Sequence, residues 1–157
     1  MTTAIIAVDP GKNSGVAEVY KGPDGWVFDS WELGVDQFFA FIEQRIVDLI
    51  GAGYEVRLVA ESFLITIHTA KNTQAGWSLE MIGVLKFLAY KYGLGAVTMQ
   101  APNIGKTFGT NGKLKYLGWF KSGTAGHAND AARHLATFAA QRSLVFTKDQ
   151  LIGMAQL

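Results

Sequence analysis

Ile5-Ile6-Ala7-Val8-Asp9-Pro10-Gly11-Lys12-Asn13-Ser14-Gly15 is the stretch from which the fold is read. Residues 3–8 are apolar or β-branched, the pattern of a buried strand, and the run stops on a carboxylate inside the turn-forming Asp9-Pro10-Gly11. Working outward, residues 15–20 form a second strand. Gly22-Pro23-Asp24-Gly25 turns the chain, and residues 26–33 alternate as a third. The opening is therefore an antiparallel meander. Residues 35–50 carry Phe38, Phe39, Ile42, Ile46, Leu49 and Ile50 at helical spacing, with Gly51 and Gly53 as stops. Residues 56–60 make a short apolar strand that ends on Glu61, and 62–72 show no regular pattern. A helix is expected over about 73–92 through Trp77, Met81, Leu85, Leu88 and Ala89, closed by Gly93, and a fifth strand over 96–99. The Gly- and Lys-rich stretch 101–126 predicts a loop with a short helix around 114–120, and a last helix covers about 127–142. The order β-β-β-α-β-α-β-α-α implies an α/β fold, a five-stranded mixed sheet with helices on both faces. If the fourth strand pairs beside the first, Asp9 and Glu61 meet at neighbouring strand ends.

The 157 residues fit one domain, 1–157, with no compositional break to mark a second. Hydrophobic residues at 49% supply a core and exclude an intrinsically disordered chain. The absence of cysteine excludes disulfides, thiolate zinc sites and a cysteine nucleophile, so any catalytic metal rests on Asp, Glu and His. The first strand has no basic region before it, and no apolar run reaches the roughly 18 residues that span a bilayer. A soluble cytoplasmic protein is expected. The net charge of +1 conceals an asymmetry: residues 1–100 carry a net −4 and residues 101–157 a net +5. The second half can therefore present a nucleic-acid face, although the same charges also read as plain solvated surface.

Asp9 and Glu61 each end an apolar strand, where an ionised carboxylate is costly unless it is paired or holds a metal. The other readings are a turn-capping Asp9, and a Glu61 at an exposed edge or paired to Arg57. The third element is Gly126-His127-Ala128-Asn129-Asp130-Ala131, in which His127 and Asp130 are three apart and share one helix face. Ala131, Leu135, Phe138 and Ala139 form the adjoining stripe, which packs on the sheet and leaves the polar pair at the rim. Asp130 reads otherwise as a helix-dipole partner. His134, four beyond Asp130, lies on the same side, as a support for the site or as a structural residue. Oxygen ligands with one imidazole suit Mg²⁺ or Mn²⁺. Two such ions about 4 Å apart activate water and stabilise the leaving oxygen of a phosphodiester. Residues 111–122 interleave Lys113, Lys115 and Lys121 with Tyr116, Trp119 and Phe120, as a DNA surface does, while Leu114, Leu117 and Phe120 equally pin a short helix to the core.

The run 5–15 resembles the opening of RuvC-type Holliday-junction resolvases of the ribonuclease-H-like superfamily, a strand ending in Asp-Pro-Gly with a Gly four residues later. Val59-Ala60-Glu61 resembles their second acidic motif, and His127-Ala128-Asn129-Asp130-Ala131-Ala132 their last. The resemblance spans nearly the whole chain. It implies a structure-selective endonuclease that hydrolyses branched DNA such as four-way junctions with two Mg²⁺ or Mn²⁺ ions, held by Asp9, Glu61, His127 and Asp130. It also implies that Lys106 contacts the scissile or an adjacent phosphate, that Lys113 contacts the DNA backbone, and that an aromatic after Glu61 stacks on a base. Phe63 is that aromatic unless the register falls on Leu64. The 62–72 loop adds His68, without a role, and Lys71 as a further DNA-contacting candidate. Family members are homodimers, with the helix over about 73–92 as the contact; Trp77, Met81 and Leu85 serve there or in the core. His127 in place of a second carboxylate lowers local negative charge, which shifts preference toward Mn²⁺. A bacterium, or a phage that infects one, is the expected source.

Three other readings compete. A ribonuclease H acting on RNA–DNA hybrids uses the same carboxylates but matches the Asp-Pro-Gly and His-x-x-Asp motifs less well. A nucleotide-binding domain of the actin type also begins with a strand and Asp-x-Gly, yet needs two subdomains, for which 157 residues are too few. A non-catalytic junction-binding protein keeps the fold without the activity.

Overall fold

The computed structural model describes residues 1–66, 69, 75–123 and 126–157. Strands β1 (Thr2–Asp9), β2 (Asn13–Gly22) and β3 (Gly25–Gly34) form the antiparallel meander. Helix α1 (Val35–Gly51) crosses over, and β4 (Tyr54–Glu61) returns parallel to β1 with Val8 opposite Ala60. After α2 (Ala75–Tyr92), the short β5 (Thr98–Gln100) pairs parallel with β4. The sheet order is β3-β2-β1-β4-β5. Helices α3 (Pro102–Phe108), α4 (Asn111–Leu117), α5 (Gly126–Gln141) and α6 (Lys148–Ala155) complete the chain.

The two-residue period of β1 divides the core. Ala4, Ile6 and Val8 point to one face, where they meet Phe38, Ile42 and Ile46 of α1 and Met81, Leu85 and Leu88 of α2. Ile5 and Ala7 point to the other, with Ala17, Val19 and Val59, beneath Ala131, Ala132, Leu135 and Ala136 of α5. A strand covered on both sides reads as continuous apolar sequence, as β1 does, and each fully buried Ile or Val there contributes roughly 1.5–3 kcal/mol of transfer free energy. The alternation also places the charges. Asp9 follows Ala7, and Glu61 follows Val59, so both carboxylates belong to the α5 face. The alanines of α5 let that helix lie close to the strands.

The meander, the mixed five-stranded sheet and helices on both faces agree with the sequence reading. The first four strands run one or two residues past the expected bounds at each end, and two other elements are displaced. The fifth strand is Thr98–Gln100 rather than 96–99. The short helix is Asn111–Leu117 rather than 114–120, because the Thr110 hydroxyl accepts from the Lys113 amide at 3.3 Å and Gly118, at φ 72°, ends it. Two further helices have no counterpart in the sequence reading. Pro102 stands in the first turn of α3, and α6 opens with a reciprocal cap between Thr147 and Gln150. Met81 and Leu85, candidates for dimer contacts, are fully buried in the chain's own core, and Trp77 packs against it. The apolar residues that α2 exposes are Leu79, Phe87 and Tyr90.

Candidate active site

The turn after β1 is fixed from two directions. The Ser14 hydroxyl accepts from the Gly11 amide at 3.2 Å and donates to the Gly11 carbonyl at 3.0 Å. From α2, the buried Ser78 hydroxyl donates to the Pro10 carbonyl at 2.8 Å. Asp9 is thereby held at the strand end, in register with Gly15 on β2. A Cβ on Gly15 would lie 1.8 Å from the His127 carbonyl oxygen. The absence of a side chain there lets the first turn of α5 rest on β2. That seat brings His127 Nδ1 to 2.8 Å from Asp9 Oδ2.

Glu61 follows Ala60, the partner of Val8, so it stands beside Asp9 across the β1–β4 pair. Its Oε2 lies 2.8 Å from His134 Nε2, and His134 Nδ1 lies 2.7 Å from the Gln100 side chain at the end of β5. Asp130 is ion-paired with Arg133 one helical turn on. Arg133 also donates from Nε to the Gly109 carbonyl at 2.9 Å and reaches Asn111. Asp9, Glu61 and His127 line a cleft of about 610 Å³ together with Pro10, Gly11, Lys12, Asn13, Ser62, Phe63 and Ser78.

Burial raises the Asp9 carboxyl to about 6; the His127 hydrogen bond opposes this, and the charges of Glu61 and Asp130 add to it. Burial draws the His127 imidazole down, but the hydrogen bond and charge of Asp9, with Glu32 and Asp130, outweigh it, and the net shift is upward. Asp9 thus carries a charge that its surroundings resist.

Among the described residues no three His, Asp or Glu side chains close around one point. Each carboxylate instead has a protein partner: His127 for Asp9, His134 for Glu61 and Arg133 for Asp130. The donor chemistry nevertheless fits a divalent cation. Oxygen donors and one imidazole meet at a partly desolvated cleft, and a cation would stabilise the Asp9 charge that burial, and after it the charges of Glu61 and Asp130, disfavour.

The remaining sequence candidates scatter. Phe63 lines the cleft. Lys106 is exposed on α3, one residue after Gly105, which abuts the His134 ring. Lys113 Nζ lies 4.5 Å from the Phe108 ring and Lys115 Nζ 5.1 Å from the Phe120 ring. Lys121 pairs with Asp29 at 3.0 Å and donates to the Ser30 carbonyl, which ties the segment after α4 to β3. Lys71 and His68 lie outside the described residues. Sequence reasoning assigned no role to Lys12, Ser78, Gln100 or Arg133. Lys12 was visible beside the first acidic residue, and Arg133 at helical spacing from Asp130. Ser78 and Gln100 gave no local signal.

No protein-family model and no curated protein sequence matches the chain. Among solved structures, T. thermophilus RuvC in complex with a Holliday junction substrate is similar, with a TM-score of 0.58 and 17% identity over 89% of this chain and 96% of that chain. At that identity the likeness is one of fold. With its sheet order and paired strand ends, the chain has the ribonuclease-H-like fold of the RuvC type.

Proposed function

We propose that this protein is a structure-selective DNA endonuclease, cutting four-way junctions or other branched DNA by metal-dependent hydrolysis. The observation that carries the reading is the meeting of Asp9 and Glu61 at adjacent parallel strand ends, with His127 bonded to Asp9 at the mouth of one cleft. Asp9, Glu61, His127 and Asp130 would hold two Mg²⁺ or Mn²⁺ ions. Such ions, when bound, lower the pKa of water and neutralise charge on the leaving oxygen. The chain's own residues orient the groups: Ser14 and Ser78 hold the turn that carries Asp9, and the Gly15 seat holds His127 against it. In this reading Phe63, which lines the cleft, would stack on an unpaired base, Lys106 would contact a phosphate, and Lys113 and Lys115 would contact the DNA backbone. The products would be a 5′-phosphate and a 3′-hydroxyl. A homodimer, joined through the exposed face of α2, would present two sites to two opposed strands. No described helix is long and apolar enough to cross a membrane.

One observation favours a second reading, a junction-binding protein that does not cut: all three carboxylates already have protein partners. A labelled immobile four-way junction, with duplex, fork and RNA–DNA hybrid beside it, separates the two. Incubation with Mg²⁺, Mn²⁺ or EDTA is expected to give paired nicks on opposed junction strands, absent in EDTA and in Asp9→Asn. Junction binding without cutting under any metal supports the second reading. Hybrid cutting alone moves the substrate to that of a ribonuclease H.

A further inference from the structure

His134 is 1% exposed and Gln100 4% exposed, yet both ring nitrogens of the histidine are engaged. Gly105 lies across the ring: a Cβ there would stand 3.0 Å from Cε1 and 3.1 Å from each nitrogen, so a side chain at that position would press on the imidazole that α3 covers. The ring is thus enclosed by α3 and the ends of β4 and β5. As placed, Gln100 Oε1 faces Nδ1 while its buried Nε2 has no partner. Two facing oxygens would require a proton on each ring nitrogen. A half-turn of the Gln100 amide exchanges its oxygen and nitrogen in the same volume. The amide nitrogen then donates to Nδ1, the Nε2 proton is left for Glu61, and an unpaired carbonyl oxygen, the cheaper orphan, replaces the unpaired NH₂.

We propose that His134 and Gln100 are positioning residues for Glu61: Gln100 fixes the imidazole tautomer, and the Nε2 hydrogen holds Oε2 so that Oε1 is left to the cleft. The inference rests on the metal-dependent reading of the site. Neither residue lines the cleft, so neither would touch DNA or the reacting atoms bound there. Their effect passes through one carboxylate, and a purely space-filling histidine would have no such dependence.

The test is Mn²⁺ affinity of the full chain, measured by titration calorimetry in the absence of DNA, with a thermal melt of each variant to verify folding. His134→Leu removes the donor, His134→Gln retains one, and Gln100→Met removes the tautomer lock at nearly constant volume. Partners that orient metal ligands are typically worth about 10- to 100-fold in affinity, and a loss of that size is expected for His134→Leu and a smaller one for Gln100→Met. His134→Gln is expected to restore much of it. In a Glu61→Gln background, the same substitutions are expected to cause no further loss. Equal losses in both backgrounds, or undiminished affinity in a folded His134→Leu protein, overturn the proposal. If His134→Leu does not fold, Gln100→Met decides by the same comparison. A wild-type chain that binds no Mn²⁺ overturns the metal reading and this inference together. Wild-type binding with unchanged affinity in the variants overturns this inference alone.

Discussion

Asp9 is held in its charged form against its surroundings, and that tension is measurable. Its carboxyl rises from 3.8 to about 6 on folding, so the folded state binds the proton more tightly than the unfolded state. The stabilisation this gives is fully present below about pH 4 and is lost as pH rises through 6. Asp9→Asn removes the titration. The variant is expected to match wild type at low pH and to exceed it by about 2–3 kcal/mol near pH 8 without metal, in denaturant melts across pH, because each tenfold difference in proton affinity between the two states is worth about 1.4 kcal/mol. A constant difference at all pH values would sink the assignment. Gly15 makes the complementary case. Gly15→Ala places a methyl group in the His127 carbonyl, so α5 must lift from β2, at a cost of roughly 1–3 kcal/mol or more. The imidazole of His127 is then expected to lose the upward push of Asp9 and titrate lower, which proton NMR of that ring reports.

At the scale of elements, the lysines divide by what they already hold. Lys121 is tied to β3 through Asp29 and Ser30, whereas Lys12 stands in the cleft beside Asp9. Lys12→Ala is expected to reduce the slope of log affinity against log salt for junction DNA by about 0.9, the share of one phosphate contact. Lys121→Ala is expected to leave that slope unchanged and to lower stability by about 0.2–1 kcal/mol, as exposed ion pairs do. This division could not be read from the sequence, where Lys121 stood among the DNA-contacting candidates and Lys12 had no role. The strands around Asp9 and Glu61 were legible because alternation, a turn and an apolar run are local signals. So was the His127–Asp130 pair, through its helical spacing. Ser78 on Pro10 and His134 between Glu61 and Gln100 join residues far apart in the chain, and only packing reveals them. Helices α3 and α6 carry start signals, Pro102 inside the glycine- and lysine-rich stretch and the Thr147–Gln150 pair beyond it, that the sequence reading passed over.

For the molecule as a whole, two faces of one sheet do different work. The α1–α2 face is a thick apolar core, and beyond it α2 exposes Leu79, Phe87 and Tyr90, with Phe87 60% accessible. If that surface joins two copies, Phe87→Asp is expected to give a folded monomer in sedimentation velocity, and to turn paired junction nicks into single ones. An unchanged dimer would move the contact elsewhere. The α5 face carries every proposed ligand, and its parts are made at opposite ends of synthesis. Asp9 and Glu61 leave the ribosome early, while the helix bearing His127 and Asp130 comes late. Until that helix arrives, Ile5, Ala7, Ala17 and Val19 lack the cover of Ala131, Ala132, Leu135 and Ala136, and the carboxylates lack their partners on α5. On the proposed function, a nascent or prematurely ended chain would therefore be both adhesive toward other proteins and unable to cut DNA. The arrival of α5 ends both conditions in one docking step, so the capacity to cut would be conferred only on molecules whose folding is complete.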